Sequence, residues 1–161
     1  MPRIVLETVI AAPIVVAFDL SRSIDLHKRS TAHTGEQAIA GRMSGLIGMG
    51  ESVTWRAKHF GLWQKLTSKI TAFDPPRFFV DEMVQGAFRG FRHEHIFTEE
   101  NGLTLMTDIF DYQSPCGIFG RIADTLFLER YMRNLLTERN RIIKEFAEDE
   151  NKYCKVLQAS V

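Results

Sequence analysis

The segment GFRHEHIF, at residues 90–97, places two histidines, His93 and His95, on either side of one glutamate. Imidazole side chains bind metal ions, transfer protons near neutral pH and hold polar ligands. On a helix, residues two apart point in different directions, whereas on a strand they share one face, roughly 6 to 7 Å apart. The chemistry of this pair therefore depends on whether the segment is a strand.

The Asn101-Gly102 pair, a few residues further on, predicts a type I′ hairpin turn, because both central positions of that turn need positive φ. A two-residue loop there makes GFRHEHIF a strand and fixes its pairing with the next strand. Counting outward from this turn places eight residues on one face, as four pairs: Phe97 with Met106, His95 with Asp108, His93 with Phe110, and Phe91 with Tyr112. Both histidines then point the same way.

Two more turns complete the predicted face. A two-residue turn at Gly61-Leu62 puts His59 on the apolar side, and a four-residue loop over residues 86–89 puts Glu82 there. The resulting inner face is mainly apolar but carries six polar groups: His59, Glu82, His93, His95, Asp108 and the hydroxyl of Tyr112. Burying such groups is costly unless they pair or stay wet. We therefore predict a water-accessible or ligand-filled cavity instead of a dry core.

Metal binding and catalysis are two hypotheses for these side chains. The group formed by Glu82, His93, His95 and Asp108 has metal-ligand types. The predicted register, however, makes Asp108 a partner of His95, so we expect no metal and no other cofactor. In the catalytic hypothesis, Asp108 orients His95 for proton transfer in a cyclase, dehydratase or hydrolase reaction. Glu82 would orient His93 in the same way.

Ligand binding is the hypothesis that we favour. Apolar side chains would enclose an elongated apolar body, while the inward histidines and carboxylates hold one polar end of it. The predicted ligand-binding residues are Trp55, His59, Glu82, Phe91, His93, His95, Phe97, Met106, Asp108, Phe110 and Tyr112. A third hypothesis is a protein-interaction module that contacts a partner through the hairpin tip FGLW, at residues 60–63.

Composition limits the partners. The chain has 161 residues, with 20 lysines and arginines against 20 aspartates and glutamates, so no excess charge favours nucleic acid. No apolar run is long enough for membrane insertion. The two cysteines, Cys116 and Cys154, have no paired spacing, which is typical of a reducing compartment and predicts a cytoplasmic location. The expected partner is a small hydrophobic or amphipathic molecule.

The order of elements along the chain predicts one α+β domain. A strand at RIVLETVI leads to two short helices, the first beginning at Pro13, and then to a strand at GEQAIAG. From Ser52 to Tyr112 the pattern is a meander of antiparallel strands, giving six to seven strands in all. A long amphipathic helix then runs to about Glu148, with a bend expected near residues 124–128. We place the domain at residues 1–148 and a loosely held tail at 149–161.

This order, with several local phrases, resembles the START-like, or SRPBCC, superfamily, and especially its bacterial cyclase-like branch. The phrases are GMGESVTWRAKHFGLWQKLTSKITAFDPPRFFVDE, GFRHEHIF, TLMTDIFDY and SPCGIFGRIADTLFLERYM. The resemblance covers roughly residues 3–148. It implies a helix-grip fold, in which a curved antiparallel sheet wraps around the C-terminal helix and leaves a cavity between them. It carries over no catalytic residue, because the superfamily has no universal catalytic signature.

Overall fold

A seven-stranded antiparallel sheet and four helices make up the described part of the chain, residues 2–86, 88–113 and 127–159 of a computed structural model. The strands are β1 (Arg3–Ile10), β2 (Gln37–Gly41), β3 (Ser52–His59), β4 (Leu62–Asp74), β5 (Phe78–Gln85), β6 (Gly90–Glu100) and β7 (Leu103–Gln113). The helices are α1 (Ile14–Ser21), α2 (Ile24–Ser30), α3 (Glu129–Ala147) and α4 (Glu150–Gln158), with a 3-10 turn at Ala32–Thr34. The α+β class and the two short helices after the first strand are as predicted.

The sheet has the order β1-β7-β6-β5-β4-β3-β2, so β6 and β5 lie in its middle. Its strands after β1 are connected as an antiparallel meander, and β1 pairs with the last strand. Two bulges interrupt the pairing of the long strand β4 with β5. Bulges bend a strand and increase its twist. The inner face of the sheet carries the buried side chains that meet α3.

The hairpin between β6 and β7 has the predicted register. His95 lies opposite Asp108, and His93 lies opposite Phe110. Asn101 and Gly102 have φ values of 52° and 77°, as a type I′ turn requires. Both histidines are therefore on the inner face, where they are buried.

The hairpin between β3 and β4 turns one residue earlier than predicted. Phe60 and Gly61 take the positive φ values, 51° and 78°, so that His59 pairs with Leu62 instead of Gln64. The pairing is shifted by two residues, an even number. The predicted inner face of β3, which carries Trp55 and His59, is therefore unchanged.

The predicted register between β5 and β6 is wrong by one residue. The predicted four-residue loop would have paired Glu82 with His93. In the structure Glu82 pairs with Arg92, and Asp81 pairs with His93. A shift of one residue exchanges the two faces of a strand. Asp81, opposite His93, is therefore the inward carboxylate. Glu82 points outward, and its carboxylate lies 3.7 Å from the Arg92 guanidinium.

The helices close the inner face. Pro13 precedes α1, and the Ser23 hydroxyl caps α2 by accepting from the backbone N–H of Leu26. The long helix α3 contacts α1, α2 and β1, and its buried residues face the sheet. The segment predicted to be a loose tail instead forms α4, whose Val156 is buried in the main apolar cluster.

Several predictions fall on residues 114–126, which lie outside the described part of the chain. These include the first part of the predicted C-terminal helix and the bend expected near residues 124–128, of which only residues 127 and 128 are described. Among the described residues, no helix is both long enough and apolar enough to cross a membrane.

Candidate functional site

A cavity of about 370 Å³ lies between the inner face of the sheet and α3. Pockets that bind small organic molecules range from about 300 to 1,000 Å³ and are mainly apolar. The apolar part of the wall comes from both layers, and its largest members are Trp55, Phe79, Phe91, Phe110, Leu128, Met132, Leu135 and Leu136. The strands supply aromatic rings and the helix supplies flexible aliphatic chains, so the cavity is suited to an apolar body.

One polar part of the wall belongs to a buried cluster that we call the carboxylate–histidine cluster. It consists of Asp81, His93, His95, Asp108, Arg139 and Asn140. The first three and Arg139 line the cavity, while Asp108 lies behind the histidines with no exposed surface. Strands β5, β6 and β7 and helix α3 each contribute at least one member. The cluster thus ties the centre of the sheet to the helix.

Asp108 is the anchor of this cluster. Its Oδ2 accepts a hydrogen bond of 2.7 Å from the Asn140 amide, and its Oδ1 contacts His93 Nε2 at 3.0 Å and the Arg139 guanidinium at 3.3 Å. Burial alone would raise the pKa of Asp108. The contacts with His93, His95 and Arg139 outweigh burial and hold the pKa well below its usual range. Asp108 is therefore a carboxylate at neutral pH.

His93 is a neutral imidazole near pH 7. Burial lowers its pKa to about 4, and the neighbouring His95 acts in the same direction, against the attraction of Asp108 and Asp81. The single ring proton lies on Nε2, from which it is donated to the Asp108 carboxylate. The lone pair of Nδ1 is then free, and that nitrogen lies 3.9 Å from Asp81 Oδ1.

His95 has carboxylate oxygens on both sides. Its Nε2 contacts Asp81 Oδ1 at 3.0 Å, and its Nδ1 lies 2.8 Å from Asp108 Oδ1. The second approach is short but is not aligned as a hydrogen bond. The ring also stacks on Phe79, with centroids 4.1 Å apart, and lies 3.8 Å from the ring of His93. These contacts fix its orientation tightly.

A second polar group lines the cavity on the side of β3 and α2. His27 Nε2 lies 3.1 Å from the Glu36 carboxylate, and its ring stacks on Trp55 at 4.3 Å. His59 Nδ1 lies 2.6 Å from the Tyr131 hydroxyl of α3. Burial lowers the pKa of His59 despite the opposing charge of Glu36. This group gives the cavity a second place for hydrogen bonding.

Comparisons with solved structures identify the architecture. No family model matches the chain, and no curated protein is similar to it in sequence. The protein TTHA0849 from Thermus thermophilus has a TM-score of 0.73 at 16% sequence identity, over 89% of this chain and 95% of that one. The ginseng major latex-like protein 151 of Panax ginseng has a TM-score of 0.67 at 16% identity, over 92% and 98% of the two chains.

A third similar structure is the di-domain ARO/CYC StfQ from the steffimycin biosynthetic pathway. It has a TM-score of 0.71 at 14% identity, over 91% of this chain and 50% of that one, so this chain spans half the length of StfQ. The fold is the START-like helix-grip fold. The resemblance predicted from the sequence is confirmed at the level of the fold.

The helix-grip arrangement brings six of the eleven predicted ligand-binding residues to the cavity wall: Trp55, His59, Phe91, His93, His95 and Phe110. The other five do not line it. Phe97 and Met106 belong to the apolar cluster against α1, and Tyr112 packs in a second cluster with Ile4 and Leu136. Asp108 stands behind the histidines. Glu82 points to the outside of the sheet.

The predicted carboxylate–histidine pairs are rearranged in the helix-grip structure. Asp108 forms its aligned hydrogen bond with His93, and the contact with His95 is a close approach only. His95 instead pairs with Asp81. The predicted pair of His93 with Glu82 is wrong, because the register shift exchanges Glu82 for Asp81.

Sequence reasoning missed the contribution of α3. Arg139 and Asn140 are buried, and the Arg139 guanidinium also donates to the Ser21 carbonyl at 3.1 Å. A signal was present, since Arg139 falls within the apolar stripe of the helix. His27 and Asp81 also line the cavity and were not among the predicted ligand-binding residues.

Proposed function

We propose that this protein binds a small hydrophobic or amphipathic molecule in the cavity between the sheet and α3. The observation that carries the proposal is the composition of the wall: aromatic and aliphatic side chains over most of it, with ionised and hydrogen-bonding groups held in fixed positions. An apolar body would lie against Trp55, Phe110 and the α3 leucines. Its polar end would meet the carboxylate–histidine cluster.

The charge of the cluster supports an oriented ligand. Asp81, His93, His95 and Arg139 line the cavity. Asp108 lies behind the histidines, where Arg139 and Asn140 hold its carboxylate in place. Polar groups that are already paired and fixed lose little entropy on binding, and a few such groups give a mainly apolar pocket its specificity. We therefore infer that the ligand carries a hydroxyl, carbonyl or carboxyl group at one end.

Extraction of the purified protein followed by mass spectrometry is the direct test. A carrier of this kind should retain an organic molecule from the expression host, and native mass spectrometry should show it bound to one chain. A second measurement uses the fluorescent probe 1-anilinonaphthalene-8-sulfonate, which should bind in the cavity. Absence of both a retained molecule and saturable probe binding would contradict the proposal.

A substitution that fills the cavity can be compared with the same substitution on the surface. Ala57 lies on β3 and lines the cavity, whereas Ala40 is exposed on the adjacent strand β2. Ala57→Phe should weaken probe binding by about 10-fold or more, because the added ring occupies the space that the probe needs. Ala40→Phe adds the same ring outside and should leave binding unchanged. Equal effects of the two substitutions would place the binding site elsewhere.

Proton-transfer catalysis, in a cyclase or dehydratase reaction, is the second candidate. The hydrogen bond between His93 and the ionised Asp108, beside the cavity, favours it. One structurally similar protein, StfQ, is an ARO/CYC. A general base would speed deuterium exchange at the α carbon of a bound ketone such as acetophenone, followed by NMR. Exchange that is lost in His93→Ala, His95→Ala and Asp108→Asn would indicate an enzyme, whereas weaker binding without exchange would indicate a carrier.

A partner contact through the hairpin tip would use side chains outside the cavity. Leu62 and Trp63 expose 68% and 52% of their surface and do not line the cavity, whereas the neighbouring Phe60 does. An interaction made there should survive both Ala57→Phe and Asp108→Asn. That outcome would separate an interaction module from the two functions above.

A further inference from the structure

The nitrogen and oxygen atoms of Asp81, His93 and His95 converge at the cavity wall. Asp81 Oδ1 lies 3.0 Å from His95 Nε2 and 3.9 Å from His93 Nδ1, and the three ligand atoms all lie within 4.8 Å of one another. Ligands that share one zinc ion at about 2.0 to 2.2 Å stand about 3 to 3.5 Å apart. Small rotations of two side chains would bring all three atoms to that separation.

We propose that Asp81, His93 and His95 bind one divalent transition-metal ion of the Zn²⁺ class. Two imidazoles and one carboxylate form a ligand set that such ions prefer, while Mg²⁺ and Ca²⁺ favour oxygen ligands. Adjacent strands supply the set, β5 the carboxylate and β6 the two histidines. All three residues line the cavity, so the remaining coordination positions face its interior.

The side chain behind the histidines has the position of an outer-shell carboxylate. Asp108 Oδ1 lies 3.0 Å from His93 Nε2 and 2.8 Å from His95 Nδ1, the two ring nitrogens that point away from Asp81. Metal-binding histidines usually direct their other ring nitrogen to a carboxylate, which fixes the tautomer and the orientation of the ring. Asn140 and Arg139 in turn hold Asp108 in place. One buried carboxylate thus orients both histidines of the proposed ligand set.

The surroundings of His95 favour a cation between this ring and Asp81. A neutral imidazole has one N–H, yet both nitrogens of His95 lie within 3.0 Å of a carboxylate oxygen. A positive charge at the ring compensates both carboxylates. A metal ion on Nε2 supplies that charge and leaves the ring proton on Nδ1, which lies 2.8 Å from Asp108 Oδ1. Asp81 and Asp108 outnumber the one fixed cation of the cluster, Arg139, so the site attracts a divalent ion.

The test uses the full chain with any affinity tag removed and with metal stripped by a chelator, and its probe is Zn²⁺ alone. Equilibrium dialysis with elemental analysis should find one ion per chain, and Mg²⁺ and Ca²⁺ should not displace it. The absorption spectrum of a Co²⁺-substituted sample should show a site of low coordination number. Because no organic ligand is present, the result does not depend on the proposed function.

Matched substitutions locate the ion. Asp81→Asn should weaken Zn²⁺ binding by more than about 100-fold, while Glu82→Gln, the next residue along β5 and on the opposite face, should leave it unchanged. His93→Gln should act like Asp81→Asn, whereas the exposed His33→Gln should not. Asp108→Asn should weaken binding by about 10- to 100-fold and keep one site. Zinc that binds at several sites, or that is insensitive to Asp81→Asn, would overturn the proposal.

X-ray absorption spectroscopy of the wild-type protein tests the site without any variant, so the result does not depend on whether a variant folds. Bound Zn²⁺ should show two imidazole ligands and oxygen or nitrogen neighbours at about 2.0 to 2.2 Å, with no sulfur. A sulfur neighbour would assign the ion to a cysteine and exclude the carboxylate–histidine site.

Discussion

Asp108 depends on its neighbours more than any other residue of the cluster does. It is fully buried, and the charge of Arg139 and the amide of Asn140 compensate it. Removing one partner of a buried ion pair leaves the other charge uncompensated, which is more costly than losing the pair altogether. The two charges thus hold α3 in place on the sheet.

Substitution of Arg139 tests this dependence. Arg139→Met should lower the free energy of unfolding by about 3 to 5 kcal/mol, because it leaves the Asp108 charge buried without its cation. Adding Asp108→Asn should restore part of the loss. Arg133→Met, at an exposed arginine of the same helix, should change stability by less than about 1 kcal/mol. Urea denaturation measures five proteins: the wild type, Arg139→Met, Asp108→Asn, the double variant and Arg133→Met. Additive losses in the double variant would contradict the coupling.

The low pKa of His93 predicts a pH dependence in metal-free protein. The ring faces Asp108, Asp81 and His95, and its pKa falls from 6.5 to about 4 on folding. Between these values the unfolded chain binds the proton and the folded chain does not, so stability rises with pH and is lost as pH falls from 6.5 towards 4. The expected loss is about 3 kcal/mol.

Comparison with a variant isolates this effect. His93→Gln should flatten the stability profile between pH 6.5 and 4, as measured by denaturant unfolding with a chelator present. His59, whose pKa is also lowered, remains in both proteins. Hydrogen bonds and charge contacts from the neighbouring histidines and Arg139 hold the pKa values of Asp81 and Asp108 below their usual range, so both stay ionised in the folded protein over this interval. An unchanged slope in the variant would mean that His93 is protonated in the folded protein.

At the scale of elements, turn chemistry decided how much of the site could be predicted. Asn101-Gly102 suits positive φ at both positions, so the register of β6 and β7 could be read from the sequence, together with the inward histidines. The turn at Phe60-Gly61 was misplaced because phenylalanine rarely takes positive φ. The error changed the pairs but left the faces unchanged.

The connection between β5 and β6 gave no comparable signal. Whether this connection has an odd or an even number of residues decides whether Asp81 or Glu82 faces the histidines. Because both residues are acidic, a carboxylate beside the histidines is chemically reasonable in either register. The buried role of Arg139 and Asn140 was hidden for a different reason. Polar residues on an amphipathic helix usually face solvent, and helical periodicity does not show which of them meet a buried carboxylate. The fold was therefore more predictable than the cluster.

The contribution of the Asn101-Gly102 turn to stability can be tested by adding one methyl group at Gly102. Gly102 has a φ of 77° and open space around it, so Gly102→Ala adds backbone strain without a clash. We expect a loss of about 1 to 2 kcal/mol in the free energy of unfolding. Gly90, at the start of β6, also has open space but no positive φ. Gly90→Ala should cost less than about 0.5 kcal/mol, and equal losses would show that φ is not the cause.

At the scale of the whole molecule, the interior divides into a packed part and an open part. Phe18, Phe97 and Met106 belong to a large apolar cluster that also contains Val156 of α4. The cavity lies among β3 to β7, α2 and α3. Part of its wall, including Trp55 and Phe79, belongs to the same cluster, but no described residue of α4 lines it. The packed part supplies stability, so the open part can keep space for a ligand. Dense packing throughout the interior would exclude the ligand that we propose.

This division predicts that α4 affects stability without affecting binding. Val156→Ala should lower the free energy of unfolding by about 1 to 2 kcal/mol, the contribution of two buried methyl groups and the space they leave. Lys155→Ala, at the exposed neighbouring position, should change it by less than about 0.5 kcal/mol. Both variants should bind the fluorescent probe and Zn²⁺ with wild-type affinity. If Val156→Ala were neutral, residues 149–161 would be a separable tail, as the sequence predicted, and the packed part of the interior would end with α3.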